Sequence, residues 1–143
     1  MATGTVCRAG GVKRLSLVPV EDLEDLLRQY TAVLVELHDH RVEQGGDPRK
    51  WNLLVNKMQG LHLRLRESAE GRDAITSLAI NAPNITAQSW AAGHALAWDP
   101  ATVRPVLEAQ ATDDRSLAGL DAKMTLREFD AGRLDFTWLP KRR

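Results

Sequence analysis

The sequence predicts an all-α fold in which about six helices form a stack of three antiparallel hairpins, followed by an extended C-terminal tail. Apolar residues recur in steps of three and four through most of the chain. A weak internal repeat relates residues 75–96 to 103–126, because each copy consists of an apolar helix, a polar break and a second helix. Repeated helix pairs usually stack into docking surfaces, so the repeat also favours a binding function.

The composition is that of one globular domain. The 143 residues are 43% hydrophobic and 27% charged, and no apolar run approaches the roughly 20 residues that cross a bilayer. The formal net charge is zero, which provides none of the long-range attraction used by phosphate-binding proteins. The composition therefore argues against a membrane-spanning protein and makes nucleic acid an unlikely ligand.

The N-terminal residues differ from the rest in their patterning. Residues 1–18 mix glycine, threonine and isolated apolar residues without a period, so we expect a flexible leader followed by a single helical-repeat domain over 19–143. Cys7 is the only cysteine, and the leader lacks the apolar core of a signal peptide. These features predict a cytoplasmic protein.

The first hairpin has the clearest boundaries. A helix is expected from Val20 to about Gln44, with one apolar stripe. The glycine pair 45–46 can end this helix, Asp47 can cap the next one, and Pro48 suits its first position. The stripe consists of Leu23, Leu26, Leu27, Tyr30, Val33, Leu34 and Leu37.

The remaining elements follow from the same signals. The second helix should run from Pro48 and end before Gly71, and further helices are expected over 72–80, 85–98 and 101–111, with a last helix ending near Gly132. In the tail, Leu134, Phe136 and Trp138 alternate with polar residues. This period of two predicts an extended segment folded back on the last helix.

One face of the helix expected over 85–98 carries Trp90 and His94, with Trp98 at its edge. Such a face could anchor a partner, since tryptophan is enriched among residues that dominate binding energy. However, both this helix and the last one are apolar on two faces, and such helices are usually sandwiched between neighbours. The matching positions of the last helix are Leu117, Leu120 and Met124. Burial in the core is therefore the favoured interpretation of Trp90, and exposed recognition is the alternative.

Charge is segregated between the first two helices. Acidic residues follow the polar side of the first: Asp22, Asp25, Glu36, Asp39 and Glu43. Basic residues mark the second: Arg49, Lys50, Lys57, Arg64 and Arg66. One interpretation is that the two helices neutralise each other. The other is that the acidic stripe faces outward and steers a basic protein partner. In the second case Asp25, Glu36, Asp39 and Glu43 are candidate contacts.

No motif indicates catalysis, a cofactor or a metal. His62 lies on the apolar stripe of the second helix, where a hydrogen-bonded core histidine is expected. His38, Asp39 and His40, with Glu36 and Glu43 nearby, could offer two metal ligands from one helix face, but two ligands do not make a site. The chain also has no glycine-rich phosphate loop and no nucleophile elbow. We therefore expect no enzyme activity.

Residues 51–140 carry three segments, WNLLVNKM, SWAAGHAL and KMTLREFDAG. With them this part of the chain resembles an uncharacterised bacterial family of short HEAT-like helical proteins, a domain of unknown function. The resemblance implies a HEAT-like stack. Because some members of such families look like components of toxin and immunity systems, it also implies toxin neutralisation, although it assigns no functional residue.

The sequence thus predicts a non-catalytic protein-binding module, an immunity or antitoxin-type protein that neutralises a toxin by occlusion. The alternative is a small nucleic-acid-binding or base-repair-like module, which requires Arg64, Arg66 and Arg72 to converge with the basic residues 141–143. The protein would be a monomer, or a homodimer through the heptad positions of the first helix. These positions are Leu23, Tyr30 and Leu37.

Overall fold

The computed structural model describes residues 20–113 and 115–140, with side chains from residue 22 onward. The described residues form six α-helices and no strand, which confirms the predicted fold class. The helices are α1 (Val20–Asp39), α2 (Pro48–Leu65), α3 (Ala69–Asn81), α4 (Ile85–Ala95), α5 (Pro100–Ala111) and α6 (Leu117–Asp130), with a 3-10 turn at Val42–Gln44. The predicted leader 1–18 and the basic residues 141–143 lie outside the described residues. None of the described helices is long and apolar enough to cross a membrane.

Helix α4 is the centre of the stack. The hairpins α1–α2, α3–α4 and α5–α6 each pack together, and α4 also contacts α1, α5 and α6. Four buried alanines allow this close approach from several sides: Ala87, Ala91, Ala92 and Ala95. The side chains of α4 therefore lie close to residues of every hairpin.

Five of the helices begin with a capping side chain that accepts a hydrogen bond from a backbone N–H group. The caps are Asp47, Ser68, Asn84, Asp99 and Ser116. Proline follows both aspartates at the first helical position, as the sequence predicts. The cap at Ser68 starts α3 at Ala69, three residues earlier than expected, since it satisfies a free N–H group of the first turn.

Two tight connections depend on glycine. Gly71 and Gly119 each lie three residues after a serine cap, where the preceding backbone passes closely. A Cβ atom would lie 1.8 Å from the carbonyl oxygen of Leu65 at the first position, and 1.7 Å from that of Asp113 at the second. No side chain fits at either place.

Helix α1 is shorter than predicted. The chain leaves the helix at Arg41, whose ψ of 132° is not helical, and the Nε atom of Arg41 donates to the exposed carbonyl oxygen of His38 at 2.9 Å. The chain then makes a 3-10 turn closed by Gly45, whose φ of 91° is in the left-handed region. The predicted role of glycine in ending this segment is confirmed.

The tail is tied to two helices. Residues 133–140 form no helix, and Phe136 contacts Phe129 of α6 edge-on, with ring centroids 6.4 Å apart. The side-chain amide of Gln59 in α2 donates to the carbonyl oxygens of Phe136 and Trp138, at 3.1 and 2.8 Å. The predicted fold-back on the last helix is confirmed, and the tail also reaches α2.

The heptad positions of α1 are used within the chain. Tyr30 and Leu37 are fully buried, and Leu23 is half-buried against the same core. These side chains contact the chain's own helices, and whether the protein is a monomer or a homodimer stays a prediction.

Candidate binding groove

Helix α6 leaves an apolar stripe open to solvent. Leu117, Leu120 and Met124 are 49%, 46% and 52% exposed. The expectation that this helix is sandwiched is wrong, because α6 is the last helix of the stack and no further described helix covers its second face. The exposed residues therefore form an apolar stripe on the outer side of α6.

The stripe borders a groove between α4, α6 and the tail, which we call the α4–α6 groove. Its volume is about 510 Å³, within the range of roughly 300–1,000 Å³ found for ligand sites. Leu117 and Met124 form the α6 wall, and His94 lines the groove from α4. Aromatic residues contribute much of the remaining lining: Trp51, Trp90, Phe136 and Trp138.

Carboxylates surround this apolar lining. Four line the groove: Glu43, Asp121, Glu128 and Asp135. Arg41 is the only Lys or Arg among the described lining residues, and its Nε atom lies 4.0 Å from Glu43 Oε2. Desolvation, and secondarily the charge of Glu43, raises the pKa of Asp121. Glu128 is paired with Arg133, whose Nε and Nη2 atoms donate to it at 2.9 and 2.8 Å. The negative charge of the lining that is not paired in this way comes mainly from Asp121 and Asp135, and this charge favours a cation.

Behind the groove, two buried hydrogen bonds and a ring stack between them link α1, α4 and α2. The Tyr30 hydroxyl lies 2.7 Å from His94 Nδ1, and the His94 ring stacks on His62 at a centroid distance of 3.6 Å. His62 Nδ1 lies 3.1 Å from Gln59 Oε1. Residues of three helices thus hold His94 in place.

The hydrogen bonds assign the proton positions on the two rings. Gln59 Nε2 donates to two tail carbonyls, so its Oε1 must accept, and His62 Nδ1 must carry the proton. Burial raises the pKa of Tyr30, whose hydroxyl therefore keeps its proton. Among the described residues His94 Nδ1 is the acceptor within hydrogen-bond distance of this buried hydroxyl, so the hydroxyl donates to it. The protons of neutral His62 and His94 consequently lie on opposite ring nitrogens, Nδ1 and Nε2.

Both histidines are held neutral. Burial, with a further contribution from the charge of Arg66, lowers the pKa of His62 to about 3. Burial also lowers the pKa of His94 well below its ordinary value, helped by His62 and Arg66. Neither group is tuned to exchange a proton near neutral pH, as a general base would be. The prediction that His62 is a hydrogen-bonded core histidine is confirmed.

Trp98 lies away from the groove. Its Nε1 atom donates to Thr76 Oγ1 at 3.0 Å, and the guanidinium of Arg66 sits 5.3 Å from its ring centroid. Arg72 donates to the carbonyl oxygen of Arg66 at 2.8 Å. Arg64 precedes Arg66 by two residues, which places it on the far side of the helix. The three arginines do not converge on one surface.

The structure brings three predicted contact residues to the α4–α6 groove. Glu43 and Trp90 line it, and His94 also does so although it is only 7% exposed. Trp90 is half-buried, so its favoured assignment to the core holds in part. The argument from the matching positions of α6 was wrong, because Leu120 and Met124 are exposed.

The other acidic candidates lie elsewhere on α1. Asp25 accepts hydrogen bonds from Arg28 at 2.7 Å and Gln29 at 2.8 Å, within its own helix. Glu36 lies 4.0 Å from Lys50 Nζ, so the first two helices neutralise each other at this point. Asp39 is exposed at the end of α1 and does not line the groove. No group of three potential metal ligands is found in the described part of the chain.

Several groove residues were not candidates from sequence. They are Trp51, Asp121, Met124, Phe136 and Trp138. The available signal was the second apolar face of α6, together with the tryptophan at the start of α2 and the alternation in the tail. Their convergence depends on tertiary packing.

No family model and no curated protein matches the chain. The fold is similar to the crystal structure of the protein RPA1889 from Rhodopseudomonas palustris CGA009. The two chains are 27% identical, the TM-score is 0.68, and the match covers 79% of this chain and 92% of that one. The helical stack is thus found in an uncharacterised bacterial protein.

Proposed function

We propose that this protein is a non-catalytic binding module whose α4–α6 groove takes up a basic segment of a protein partner with apolar anchors. The observation that carries the proposal is the pairing of an exposed apolar stripe on α6 with an acidic lining. Apolar contacts would supply affinity, and the carboxylates would select a cationic partner and accelerate its association.

A protein fits this surface better than a small molecule does. Leu120 lies between Leu117 and Met124 but does not line the groove, so the apolar surface continues around α6 onto its outer side. Contiguous apolar surface bordered by charge is typical of protein contact sites. The partner would therefore cover the outer side of α6 as well as fill the groove.

The chemistry of the lining supports binding without catalysis. The Ser89 hydroxyl donates to Gln110 at 2.5 Å, and the Thr86 hydroxyl is bonded to His38 at 2.8 Å. His94, the histidine of the lining, is neutral and bonded to Tyr30. The acceptor of the Ser89 hydroxyl is an amide oxygen, which is not a base. Thr86 is the one hydroxyl of these that contacts an imidazole, and its partner His38 does not line the groove.

We propose further that the partner is a bacterial toxin and that occlusion of its surface neutralises it. The resemblance of residues 51–140 to short HEAT-like bacterial proteins of unknown function supports this step. An acidic groove suits such a role, since a toxin acting on nucleic acid or on anionic membranes would present a basic surface.

Affinity capture from the native host with the full chain tests the proposal. Met124→Asp places a charge on the groove wall, and Leu53→Asp makes the same change at an exposed leucine of α2 outside the groove. We expect a basic protein to be captured by the wild type and by Leu53→Asp, and to be lost from Met124→Asp. Its expression alone should arrest growth, and co-expression of this chain should restore it.

Two results would contradict the proposal. Equal capture by Met124→Asp and the wild type would exclude the groove as the docking site. Growth arrest that co-expression leaves unchanged, or a captured protein that is harmless, would exclude toxin neutralisation while leaving the binding site in place.

A further inference from the structure

The charge of this protein is unevenly distributed along the chain. Six of its 19 basic residues lie in segments 1–19 and 141–143, which contain no acidic residue. Residues 20–140 therefore contain all 19 acidic residues and only 13 basic ones. The neutral whole consists of an acidic helical domain and two basic terminal segments.

The N-terminal segment has the chemistry that the groove selects. Its cations are Arg8, Lys13 and Arg14. Apolar residues adjoin them on both sides: Val12, Leu15, Leu17 and Val18. The C-terminal segment 141–143 is basic but has no apolar residue, so it lacks the anchors for an apolar groove.

The connection between this segment and the groove is short enough. Helix α4 runs antiparallel to α1, since His38 contacts Thr86 at 2.8 Å and Tyr30 contacts His94 at 2.7 Å. The His94 end of the groove thus lies level with Tyr30, ten residues or about 15 Å along α1 from Val20. The sideways step of about 10 Å between packed helices is perpendicular to this displacement, so the straight distance is about 18 Å.

Arg14 precedes Val20 by six residues, which span about 20 Å when extended. It therefore reaches the His94 end of the groove, and the residues before it can extend towards Glu43. On α6, Glu128 lies two turns beyond Asp121, whose neighbour across the groove is Glu43. Glu128, which Arg133 already pairs at 2.8 Å, consequently belongs to the end of the groove that Arg14 reaches, so Arg14 would join or replace Arg133 there.

We infer that residues 1–19 occupy the α4–α6 groove of their own chain and compete with the partner for it. This inference rests on the proposed function of the groove, whose regulation it describes. Occupation in cis covers Leu117 and Met124 when no partner is bound. The partner must displace the segment, so its apparent affinity is reduced by the fraction of molecules in which the groove is free.

A spin label tests the inference on the full chain. Cys7 is the only cysteine, so a nitroxide can be attached to it alone. Trp51, Trp90 and Trp138 line the groove and Trp98 does not, which gives three reporter indole N–H signals and one internal control. We expect the nitroxide to broaden the three groove signals and to leave that of Trp98 sharp. Chemical reduction of the nitroxide should restore the three broadened signals.

Charge variants supply matched controls. Lys13→Glu with Arg14→Glu should abolish the selective broadening and strengthen partner binding. Arg142→Glu with Arg143→Glu makes an equal change of charge at the other terminus, and it should leave the broadening intact. Three results would overturn the inference. The label could broaden all four indole signals equally, it could broaden none of them, or the selective broadening could be lost equally in both double variants.

A mixture of spin-labelled unenriched protein with unlabelled ¹⁵N protein separates the two ways in which the segment could bind. Broadening in this mixture would mean that the segment of a second copy fills the groove, which would overturn occupation in cis. The Met124→Asp capture experiment is independent of the label. If the partner binds through the groove while the label spares the indoles, the inference fails and the proposed function stands.

Discussion

The imidazole rings of His62 and His94 stack face to face, with centroids 3.6 Å apart and planes within 1° of parallel. The stack joins the first hairpin to the central helix, because His62 lies in α2 and His94 in α4. Tyr30 fixes one ring by a hydrogen bond and Gln59 fixes the other. Four polar side chains thus form an ordered layer within an otherwise apolar core.

Removing the Tyr30 hydroxyl should destabilise the fold without changing it. In Tyr30→Phe, His94 Nδ1 loses its donor in a buried site, and we expect a loss of about 1–3 kcal/mol in the free energy of unfolding. Urea denaturation measures this loss. Thr31→Val also removes a hydroxyl, but one bonded to a helix carbonyl, and it should change stability by about 0.5 kcal/mol or less. An equal loss of stability in the two variants would contradict the hydrogen bond between Tyr30 and His94.

Stability should fall as the pH drops below about 6.5, the ordinary pKa of histidine. The folded state lowers the pKa of His62 to about 3, so between these values the unfolded chain binds a proton that the folded chain excludes. Each such histidine makes unfolding easier by about 1.4 kcal/mol per pH unit. Urea denaturation from pH 7 to 5 should show a shallower fall for His62→Asn. An unchanged slope would show that folding does not lower the pKa of His62.

Gln59 should control the tail. Gln59→Met keeps the side-chain length but removes both donors to the tail carbonyls and the acceptor for His62. We expect a loss of about 1–3 kcal/mol in stability, with faster hydrogen exchange at backbone amides of residues 134–139. Gln29→Met makes the same change on an exposed part of α1, where tail exchange should stay at the wild-type rate. Protection retained in Gln59→Met would contradict the role of these bonds.

Two glycines should respond in opposite ways to alanine. Gly71→Ala places Cβ 1.8 Å from a backbone oxygen, which forces the connection apart and should cost at least about 2 kcal/mol. Gly93 lies inside α4, and a Cβ there would meet nothing within 4 Å. Gly93→Ala should therefore be neutral or raise stability by up to about 1 kcal/mol. Thermal unfolding of both variants checks the contrast, and a similar melting temperature for the two would refute it.

The helices could be predicted because their signals are local. The apolar period, the cap at Asp47 and the proline after it gave the start of α2 correctly, and the same signals gave α5. The end of α1 could not be predicted, since the chain leaves the helix at Arg41, whose side chain donates to the carbonyl of His38. Nothing in the sequence distinguishes that contact from an exposed arginine.

The groove could be predicted only in part. Glu43 and Trp90 were selected as exposed charge and as an aromatic anchor, and both line it. The apolar face of α6 that carries Met124 was also recognised. Whether a neighbouring helix covers this face depends on which helix is last in the stack. The pairing of His62 with His94 depends in turn on the relative positions of two hairpins, which side-chain periodicity does not determine.

The glycine contacts at the starts of α3 and α6 also bear on how this fold is found in other genomes. Serine, two residues and glycine occur at 68–71 and again at 116–119, a separation of 48 residues. The backbone oxygens beside Gly71 and Gly119 leave no room for a larger residue, so drift that erases the apolar pattern must still spare both glycines. A two-point signature with this spacing should therefore identify distant homologues at identities where whole-chain alignment no longer succeeds.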